Sequence, residues 1–416
     1  MTEHLDRYET RPPHSRDVEL FRNLRGMISV ARPRAAALRK QVRGIDLSTI
    51  KTRSDLARIP IIRRSELLER QAEDKPFGGL AAARTCTLKH ILVTPDFHFV
   101  PEGHAKDWWG AARALHAAGF RKGNLVINCF SYHLSPGGHM METGAQALGC
   151  AVIPAGTAHV DHQINAIAQL RPIAYMGPAD FLKLLLERAR ETSTDVSSLQ
   201  MALLSGQAVE PLVVNDLQMR LQRVHQCYAT PDLGVVAYQT RLGDGTSCEG
   251  VVVNENIIVE IVCPKTDAVL PPGEIGEVVV TRLNADYPLL RFGTGDLSAI
   301  IKEPSPCGRT NMRMRMPSAR AADLAIARVD AVAQRKMVAA VQGLPGVSRL
   351  RLVVSRAEDR DRIDIHVEAA EVDVSLTQSL RERLAGLVRC QADVHVVPPG
   401  SLPDECELIV DERAQS

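Results

Sequence analysis

The sequence predicts an α/β protein with a large N-terminal domain of mostly parallel sheets flanked by helices and a small α+β C-terminal domain. Between about residues 90 and 300, helical segments alternate with short apolar strands, as βαβ units do. Beyond about residue 322 the pattern changes, and Pro304, Pro306 and Pro317 mark the stretch before it as a linker. A chain of 416 residues also exceeds one ordinary domain. We therefore expect domains at residues 1–316 and 317–416.

The large domain is expected to begin with helices and loops over residues 1–85, broken at Pro12-Pro13 and Ile59-Pro60. Four helix–strand pairs follow. The predicted helices are Trp108–Gly119, Met140–Gly149, Ile164–Leu170 and Phe181–Thr192, and the strands that follow them are Leu125–Phe130, Cys150–Ile153, Ile173–Tyr175 and Met201–Leu204. Repeats of this length imply a mostly parallel sheet with helices on both faces.

The small domain is predicted to be an α+β lid. Its expected strands are Val338–Val341, Leu350–Val354, Ile363–Val367 and Asp393–Val397, with a helix at Leu376–Val388.

Composition excludes several classes of protein. The net charge is +1, from 50 basic and 49 acidic residues, which argues against a nucleic-acid partner. The nine cysteines are odd in number and form no Cys-x-x-Cys pair, so we expect reduced thiols in a cytoplasmic protein. The charged N-terminus is unlike a signal peptide, and the apolar runs are too short to span a membrane.

The most informative segment runs from Pro271 to Asp296. A Pro-Pro-Gly turn leads into the β-branched run Val278–Thr281, which is typical of a strand. A second apolar run ends in Thr294-Gly295-Asp296, where glycine permits a tight turn and the carboxylate could accept hydrogen bonds from a ribose diol. The alternative is two strands joined by loops, with Asp296 simply solvated.

Three further loops follow predicted strands, where ligands bind in parallel sheets. The loop Phe130–Gly138 combines aromatic, histidine and small residues, although it could also be a helix-entry loop with an incidental His133. The loop Ser205–Ala208 contains Gly206, which would let a flat base approach the backbone. In Tyr228–Gly234, the tyrosine could stack on a purine, Thr230 could donate to a phosphate and Asp232 could hold Mg²⁺.

In this order and spacing, the motifs resemble the adenylate-forming superfamily of acyl- and aryl-CoA ligases, most closely its phenylacetate–CoA ligase-like branch. The resemblance extends from about residue 5 to the C-terminus. It implies that Asp296 binds ribose, that Asp232 replaces a Mg²⁺-binding glutamate and that Thr230 lies near the α-phosphate. The nucleotide-binding residues that it implies are Ser205, Gly206, Gln207, Ala208, Tyr228, Ala229, Thr230, Asp296 and Arg309.

The resemblance also implies a reaction: ATP-dependent activation of an aryl or small acyl carboxylic acid through an acyl-adenylate, with transfer to CoA. The cofactors would be ATP or AMP, Mg²⁺ and CoA, and a homodimer is expected because dimers are common in the family. The acid would lie against the first loop, at Phe130, Tyr132, His133 and Gly137.

Two departures from the family pattern affect this expectation. The phosphate-gripping loop is replaced by Val93–Gly103, in which Asp96 and Glu102 would repel phosphate unless Mg²⁺ or His98 intervened. Near the C-terminus, Glu407 stands where the family has a catalytic lysine. An active enzyme would need Arg320 or Arg328 to supply that charge, which makes Arg320 a candidate catalytic residue beside Thr230 and Asp232.

Two interpretations therefore stay open: an acid–CoA ligase, or a catalytically impaired member of the fold that binds nucleotide or acyl-CoA as a binding protein. A dinucleotide-dependent oxidoreductase is disfavoured because no Gly-x-Gly-x-x-Gly follows the early strands.

Overall fold

In a computed structural model, the chain divides into two compact units, Met1–Ser318 and Ala319–Ser416. This division lies close to the boundary expected after residue 316. The structure describes residues 4–206, 209, 211–317, 319–320, 347–357, 360–369, 378, 380, 392–402 and 409–411. The roles predicted for the two domains stay predictions.

The first unit begins with helices, as predicted. Its early elements are α1 (Pro13–Ala31), α2 (Ala36–Gln41), α3 (Arg53–Leu56), β1 (Ile62–Arg63) and α4 (Leu67–Glu73), with 3-10 turns at Arg7–Thr10, Leu47–Thr49, Arg64–Glu66 and Thr85–Thr87. Helix α1 starts at Pro13, whose fixed φ suits the first helical position. Its buried residues Leu20, Leu24 and Ile28 repeat at helical spacing and form one packed face.

An antiparallel hairpin follows, formed by β2 (His90–Val93) and β3 (Phe99–Glu102). His90 lies opposite Glu102 at its base, and Val93 lies opposite Phe99 next to its tip. The segment that the sequence aligned with a phosphate-gripping loop is therefore largely the second half of a hairpin.

The central sheet contains the predicted helix–strand pairs. Its strands before residue 260 are β4 (Leu125–Asn128), β5 (Ala151–Pro154), β6 (Ala174–Gly177), β7 (Met201–Leu204), β8 (Arg223–Thr230), β9 (Gly234–Tyr238) and β10 (Val251–Val253). The helices are α5 (Ala111–Ala117), α6 (Pro136–Leu148), α7 (Val160–Leu170), α8 (Ala179–Glu191) and α9 (Pro211–Arg220). In the order β5-β4-β6-β7-β8 the strands are parallel, and β9 continues antiparallel to β8. The prediction of parallel strands is confirmed for β4 to β8, and the antiparallel strands from β9 onward make the sheet as a whole mixed.

Element boundaries differ from the predictions for local reasons. Strand β4 ends at Asn128, two residues before the predicted end, and the Asn128 side chain accepts a hydrogen bond from the Phe130 N–H at 3.2 Å. Such an Asn turn leads the chain out of the strand. Helix α6 begins at Pro136 instead of Met140 because Ser135 caps it, with its hydroxyl accepting from the Gly137 N–H.

A second sheet contains the segment singled out in the sequence. Its strands are β11 (Ile257–Val262), β12 (Gly276–Arg282) and β13 (Leu289–Ser298), in the order β1-β13-β12-β11. The predicted strand Val278–Thr281 lies within β12. The predicted tight turn at residues 294–296 is wrong, because these residues lie inside β13. Gly293 pairs with Val279 and Leu297 with Glu277, so four steps along β13 face two along β12, which is a β-bulge.

The remaining strands of the first unit are β14 (Ile300–Ile301) and β15 (Arg313–Met314), which extend the central sheet beyond β10. In the second unit, the strands are β16 (Ala319–Arg320), β17 (Val347–Ala357), β18 (Arg360–Ala369), β19 (Ala392–Val397) and β20 (Ile409–Asp411). Four of them form a sheet in the order β19-β18-β17-β20.

This sheet confirms three predicted strands of the small domain, namely Leu350–Val354, Ile363–Val367 and Asp393–Val397. Val338–Val341 lies outside the described residues, as does most of Leu376–Val388. None of the helices in the described part of the chain has the length and hydrophobicity needed to cross a bilayer.

Candidate functional site

Two neighbouring parallel strands, β7 and β8, carry predicted nucleotide-binding residues at or near their carboxyl ends. Ser205 directly follows β7 and is buried, and its hydroxyl donates to the Cys227 carbonyl on β8 at 2.9 Å. Gly206 adopts a φ of +112° and has open space where a side chain would project. An open backbone at this place is suited to contact with a flat ring. Gln207 and Ala208 lie outside the described residues.

Tyr228 and Asp296 connect the two sheets. The Tyr228 hydroxyl donates to Oδ2 of Asp296 at 2.7 Å, although the residues are 68 positions apart in sequence. Burial, and then the neighbouring Asp296 carboxylate, hold the pKa of Tyr228 well above its ordinary value. The tyrosine therefore keeps its proton and remains a donor to Asp296.

The bulge in β13 sets the position of Asp296. The Asp296 N–H donates to the Thr294 hydroxyl oxygen at 3.1 Å, and that hydroxyl donates to the Val278 carbonyl on β12 at 2.9 Å. Gly295, with a φ of +78°, donates its N–H to Glu277 at 3.2 Å. Asp296 is thus anchored through the sheet, and its carboxylate is only partly buried.

Asp232 belongs to a buried polar chain at the hairpin tip. Its Oδ1 lies 2.6 Å from Nε2 of His98, and Nδ1 of His98 lies 2.8 Å from the Thr94 hydroxyl. When Nε2 donates to Asp232, Nδ1 accepts from Thr94, so a single tautomer satisfies both contacts. Asp232 and His98 are 0% and 1% exposed, so this pair is desolvated.

Arg64 supplies positive charge to the same place. Its guanidinium lies 3.5 Å from Oδ2 of Asp232 and 3.1 Å from Asp96. Arg64 directly follows β1, and β1 pairs with β13 so that Arg63 lies opposite Gly293. The pairing of two distant strands therefore brings Arg64 to the site. Sequence analysis missed this residue because an Arg-Arg pair after an apolar dipeptide carries no motif.

The predicted role of Asp232 as a Mg²⁺ ligand does not fit this arrangement. One carboxylate oxygen is bonded to His98, and the other is enclosed, faces the Arg64 guanidinium and accepts no hydrogen bond from any described residue. Mg²⁺ needs near-octahedral oxygen coordination and usually retains several waters. A fully enclosed carboxylate beside a fixed cation provides neither the space nor the free oxygens.

The rest of the Tyr228–Gly234 segment is held tightly. The Thr230 hydroxyl oxygen accepts from the Leu233 N–H at 3.2 Å and is buried, while Ala229 is half-buried beside a register shift in β8. At Gly234, with a φ of +78°, an added Cβ would lie 2.3 Å from the Trp109 carbonyl oxygen. Only glycine fits there, and the turn that carries Asp232 is correspondingly rigid.

The predicted acid-binding loop, Phe130–Gly138, is attached to the same hairpin. The Leu134 carbonyl accepts from the Val93 N–H at 2.7 Å, next to Thr94. Phe130 is buried against Gly137, and the Tyr132 hydroxyl accepts from the Asn128 amide at 2.7 Å. His133 is exposed. The hairpin therefore contacts both the loop predicted to bind the acid and, through His98, the predicted Mg²⁺ ligand Asp232.

Two predicted arginines occupy different surroundings. Arg309 is buried, 3.2 Å from Glu9 of the N-terminal segment and above the Tyr238 ring. The structure thus engages Arg309 in an internal ion pair. Arg320 lies in the short strand β16. Glu407 and Arg328 lie outside the described residues.

The chain is similar to known proteins in sequence and in fold. Residues 111–284 match the family model described as AMP-binding enzyme. The chain is similar to phenylacetate–coenzyme A ligase of Thermus thermophilus, at 27% identity over 86% of this chain and 87% of that protein. It is also similar to the Escherichia coli enzyme of the same name, at 26% identity over 70% of this chain and 69% of that one.

Among solved structures, the chain is similar to a 2-hydroxyisobutyryl-CoA ligase in complex with 2-HIB-AMP and CoA, with a TM-score of 0.74. The identity is 22%, and the match covers 99% of this chain and 93% of that chain. At this identity the likeness establishes the fold.

The AMP-binding family model and the curated relatives bear out the resemblance to the adenylate-forming superfamily. The curated relatives named above are phenylacetate–CoA ligases, the branch that the sequence resembles most closely. The resemblance and the fold class predicted from the sequence are both confirmed.

Proposed function

We propose that this protein activates a carboxylic acid with ATP through an acyl-adenylate and transfers the acyl group to CoA. The observation that carries the proposal is the 2.7 Å hydrogen bond from Tyr228 to Asp296. It joins the two motifs assigned to the adenosine moiety and fixes the position of the partly buried Asp296 carboxylate. A carboxylate so positioned can accept hydrogen bonds from both hydroxyls of a ribose.

The remaining predicted nucleotide contacts follow from this position. Tyr228 would lie against the adenine, together with Ala229 and the Ser205–Ala208 loop at the end of the neighbouring strand. Thr230 would lie near the α-phosphate. Arg309 would contribute only after releasing Glu9, and we therefore propose that it acts indirectly, by holding the N-terminal segment against β9.

The first half-reaction needs positive charge near the phosphates. A carboxylate oxygen of the acid attacks the α-phosphorus, an O–P bond forms, and the P–O bond to pyrophosphate breaks. Negative charge accumulates on the leaving pyrophosphate, so preorganised cationic groups would lower the barrier. Of the described residues, we propose Arg64 for contact with the β- and γ-phosphates, because its guanidinium lies at the hairpin tip beside Asp232. His98 would join it only by exchanging its contact with Asp232 or Thr94 for a phosphate oxygen.

The second half-reaction transfers the acyl group to the thiol of CoA. The sulfur attacks the acyl carbon, the acyl–phosphate bond breaks, AMP leaves, and the thiol proton passes to solvent. For the first half-reaction, we propose that Arg320 provides the positive charge that the family lysine would supply, since Glu407 cannot.

The acid is proposed to lie against the Phe130–Gly138 loop, among Phe130, Tyr132, His133 and Gly137. The Tyr132 ring packs on Gly138, where an added Cβ would lie 2.7 Å from the ring, so this side of the loop is closely packed. An aryl acid, as the names of the curated relatives suggest, or a small hydroxy acid, as in the 2-hydroxyisobutyryl-CoA ligase, are the classes to test.

A second function is favoured by the enclosed Asp232. A carboxylate engaged by His98 and Arg64 leaves little uncompensated positive charge for a triphosphate. The alternative is a protein that binds AMP or an acyl-adenylate without forming it.

Reduced thiols at Cys86, Cys129 and Cys227 support the predicted cytoplasmic location. A homodimer remains a prediction.

The two functions are separated by acid-dependent ATP–pyrophosphate exchange, run beside calorimetric titration with AMP. We would supply phenylacetate, benzoate, 2-hydroxyisobutyrate and acetate in turn. The ligase proposal expects exchange with at least one acid and a CoA thioester after CoA is added. AMP binding without exchange in the presence of any of these acids would support the binding protein instead.

A further inference from the structure

A second cluster of ligand-type side chains lies at the base of the β2–β3 hairpin. His90 and Glu102 are directly opposite each other across the two strands, and His139 reaches them from α6. One potential ligand atom from each residue lies within 4.8 Å of the other two. We propose that His90, Glu102 and His139 form a binding site for a divalent transition metal, with Zn²⁺ as the best match.

The donor set selects the metal. Two imidazole nitrogens and one carboxylate oxygen are a common set for zinc sites that keep a fourth position for water or another ligand. Mg²⁺ and Ca²⁺ prefer oxygen ligands only, so two histidines argue against both. The three residues come from two strands and a helix, which fixes their directions independently of one another.

The spacing needs little adjustment to admit the ion. Nδ1 of His90 lies 2.9 Å from Oε2 of Glu102, and the His90 and His139 ring centroids are 4.5 Å apart. In a tetrahedral site with bonds of about 2.0–2.1 Å, two ligand atoms lie roughly 3.3 Å apart. The His90–Glu102 contact would therefore widen by only a few tenths of an ångström.

Charge and burial also favour an ion at this place. Glu102 is 0% exposed, and a buried carboxylate is costly unless it is paired. Its described partners are the half-exposed His90 and Lys89, and Lys89 approaches the other oxygen, Oε1, at 3.5 Å. Oε2 thus faces His90, and the partial exposure of His90 leaves a path from solvent.

The ion would connect the hairpin to helix α6 and so hold the Phe130–Gly138 loop. The Tyr132 ring contacts His139 edge-on, with centroids 5.4 Å apart. The site shares no residue with the His98–Asp232 pair, and its existence does not depend on the proposed ligase activity. Its expected effect is structural: Zn²⁺ should order the Phe130–Gly138 loop, which leads from β4 into α6.

The test begins with the full-length, untagged protein, stripped with a chelator and dialysed against a small excess of Zn²⁺ or Co²⁺. We expect about one equivalent of bound metal by mass spectrometry. The Co²⁺ form should show the intense visible absorption of a four-coordinate site, and Zn²⁺ should raise the melting temperature by a few degrees, since a ligand that binds only the native state stabilises it.

Two variants test the ligands, and a third serves as the control. His139→Ala and Glu102→Gln should each weaken Zn²⁺ binding by at least roughly tenfold, since loss even of outer-shell partners can cost that much. The matched control is His162→Ala, which removes one of two exposed, stacked histidines at the start of α7. It should leave the Zn²⁺ affinity unchanged. Circular dichroism of the metal-free variants would establish that they fold.

Two results would overturn the proposal. One is wild-type protein that retains well under one equivalent of either metal. The other is folded His139→Ala protein whose Zn²⁺ affinity equals that of the wild type, because the metal would then be bound elsewhere. Retention of acid–CoA ligase activity in a metal-free variant would leave the ligase proposal intact and would not bear on the site.

Discussion

The adenosine side and the phosphate side of this site are built differently. Tyr228 and Asp296 lie on strands of two sheets and make one short, direct hydrogen bond. The phosphate side consists of a hairpin tip, where His98 and Arg64 are already engaged by Asp232. The first side is proposed to present the Asp296 carboxylate to a ribose, whereas the second pairs its charges internally. We therefore expect nucleotide recognition and phosphate chemistry to be separable in this chain.

The largest effect is expected on the adenosine side. Asp296→Ala should weaken AMP and ATP binding by about 100-fold or more, because it removes two charge-assisted hydrogen bonds to ribose worth about 1.5–3 kcal/mol each. Calorimetric titration with AMP measures the loss. The apo-protein should melt within a few degrees of the wild type.

Asp286→Ala is the matched control for this change, since Asp286 is an exposed carboxylate ten residues earlier in the chain. It should leave both affinities unchanged. An Asp296→Ala protein that still binds AMP as the wild type does would remove Asp296 from the nucleotide site.

His98→Ala should affect ATP and spare AMP, which separates the two sides. We expect ATP to bind roughly tenfold more weakly, by the loss of one charge-assisted contact. AMP lacks the β- and γ-phosphates, so its affinity should stay within about threefold. Because the change leaves Asp232 buried without its nearest partner, the free energy of unfolding should also fall by on the order of 3 kcal/mol.

His98→Gln separates the contact with Asp232 from the proposed contact with the phosphates, since its amide can still donate to Asp232. It should restore most of the stability lost in His98→Ala but not the ATP affinity. If both variants bind ATP as the wild type does, the hairpin tip does not contact the phosphates.

Glu407→Lys tests whether the phosphate side can be repaired from the C-terminal segment. Replacing a carboxylate with the family's lysine should raise acid-dependent ATP–pyrophosphate exchange by about tenfold, equivalent to roughly 1.4 kcal/mol of barrier. Thioester formation from a supplied acyl-adenylate should not change.

The control is Glu405→Lys, which makes the same charge change two residues earlier in the sequence. Equal stimulation by both substitutions would mean that net charge, rather than position 407, is responsible. No stimulation by Glu407→Lys would put the limitation at the hairpin.

A smaller effect is expected for Tyr228→Phe. Loss of one hydroxyl frees Asp296 from its donor and should weaken AMP binding by only about threefold to tenfold, the net value of a single hydrogen bond. Tyr175→Phe is matched to it, because Tyr175 is a buried tyrosine on β6 that donates to the Pro178 carbonyl. AMP affinity that falls equally in both variants would indicate a general loosening of the sheet.

The last effect concerns the free energy of unfolding and not ligand binding. It is the pH dependence that arises from His225 on β8, the strand that carries Tyr228. Burial, then Arg241 and Arg223, lower the pKa of His225 from 6.5 to about 3. The unfolded chain therefore binds the proton first, and stability falls as pH drops from 6.5 toward 3, by at most about 1.4 kcal/mol per unit.

His225→Phe should flatten this part of the curve, measured by urea unfolding at pH 7 and pH 5. Neither His225 ring nitrogen has a hydrogen-bond partner among the described residues, so an apolar ring should be tolerated. His162→Phe, at an exposed position, should keep the wild-type slope. A slope unchanged by His225→Phe would show that other groups control acid unfolding.

The sequence was sufficient for the repeated elements and insufficient for long-range pairing. Helix–strand alternation located β4 to β7, because each strand is a short apolar run between helices, buried in β6 and β7 and partly exposed in the edge strand β5. The same pattern could not distinguish a turn from a bulge at Gly295, since both need a positive φ there. Only the register of β12 against β13 decides between them.

The charged contacts at the hairpin were beyond sequence reasoning for a similar reason. His98 and Asp232 are 134 positions apart, and Arg64 arrives through the pairing of β1 with β13. His90 faces Glu102 only because the segment forms a hairpin, whereas the family resemblance implied a phosphate-gripping loop at Val93–Gly103. Each contact depends on which strands pair, which local patterns do not encode.

The bulge that carries Asp296 has a consequence for how this chain can change over evolutionary time. Because the carboxylate proposed to bind ribose is anchored by the interior of a sheet, its persistence is coupled to the folding of the whole unit and not to selection on a surface loop. Residues at the hairpin tip can drift without unfolding β13. A descendant of this protein could therefore lose adenylation entirely and still keep a nucleotide pocket available for a new regulatory use.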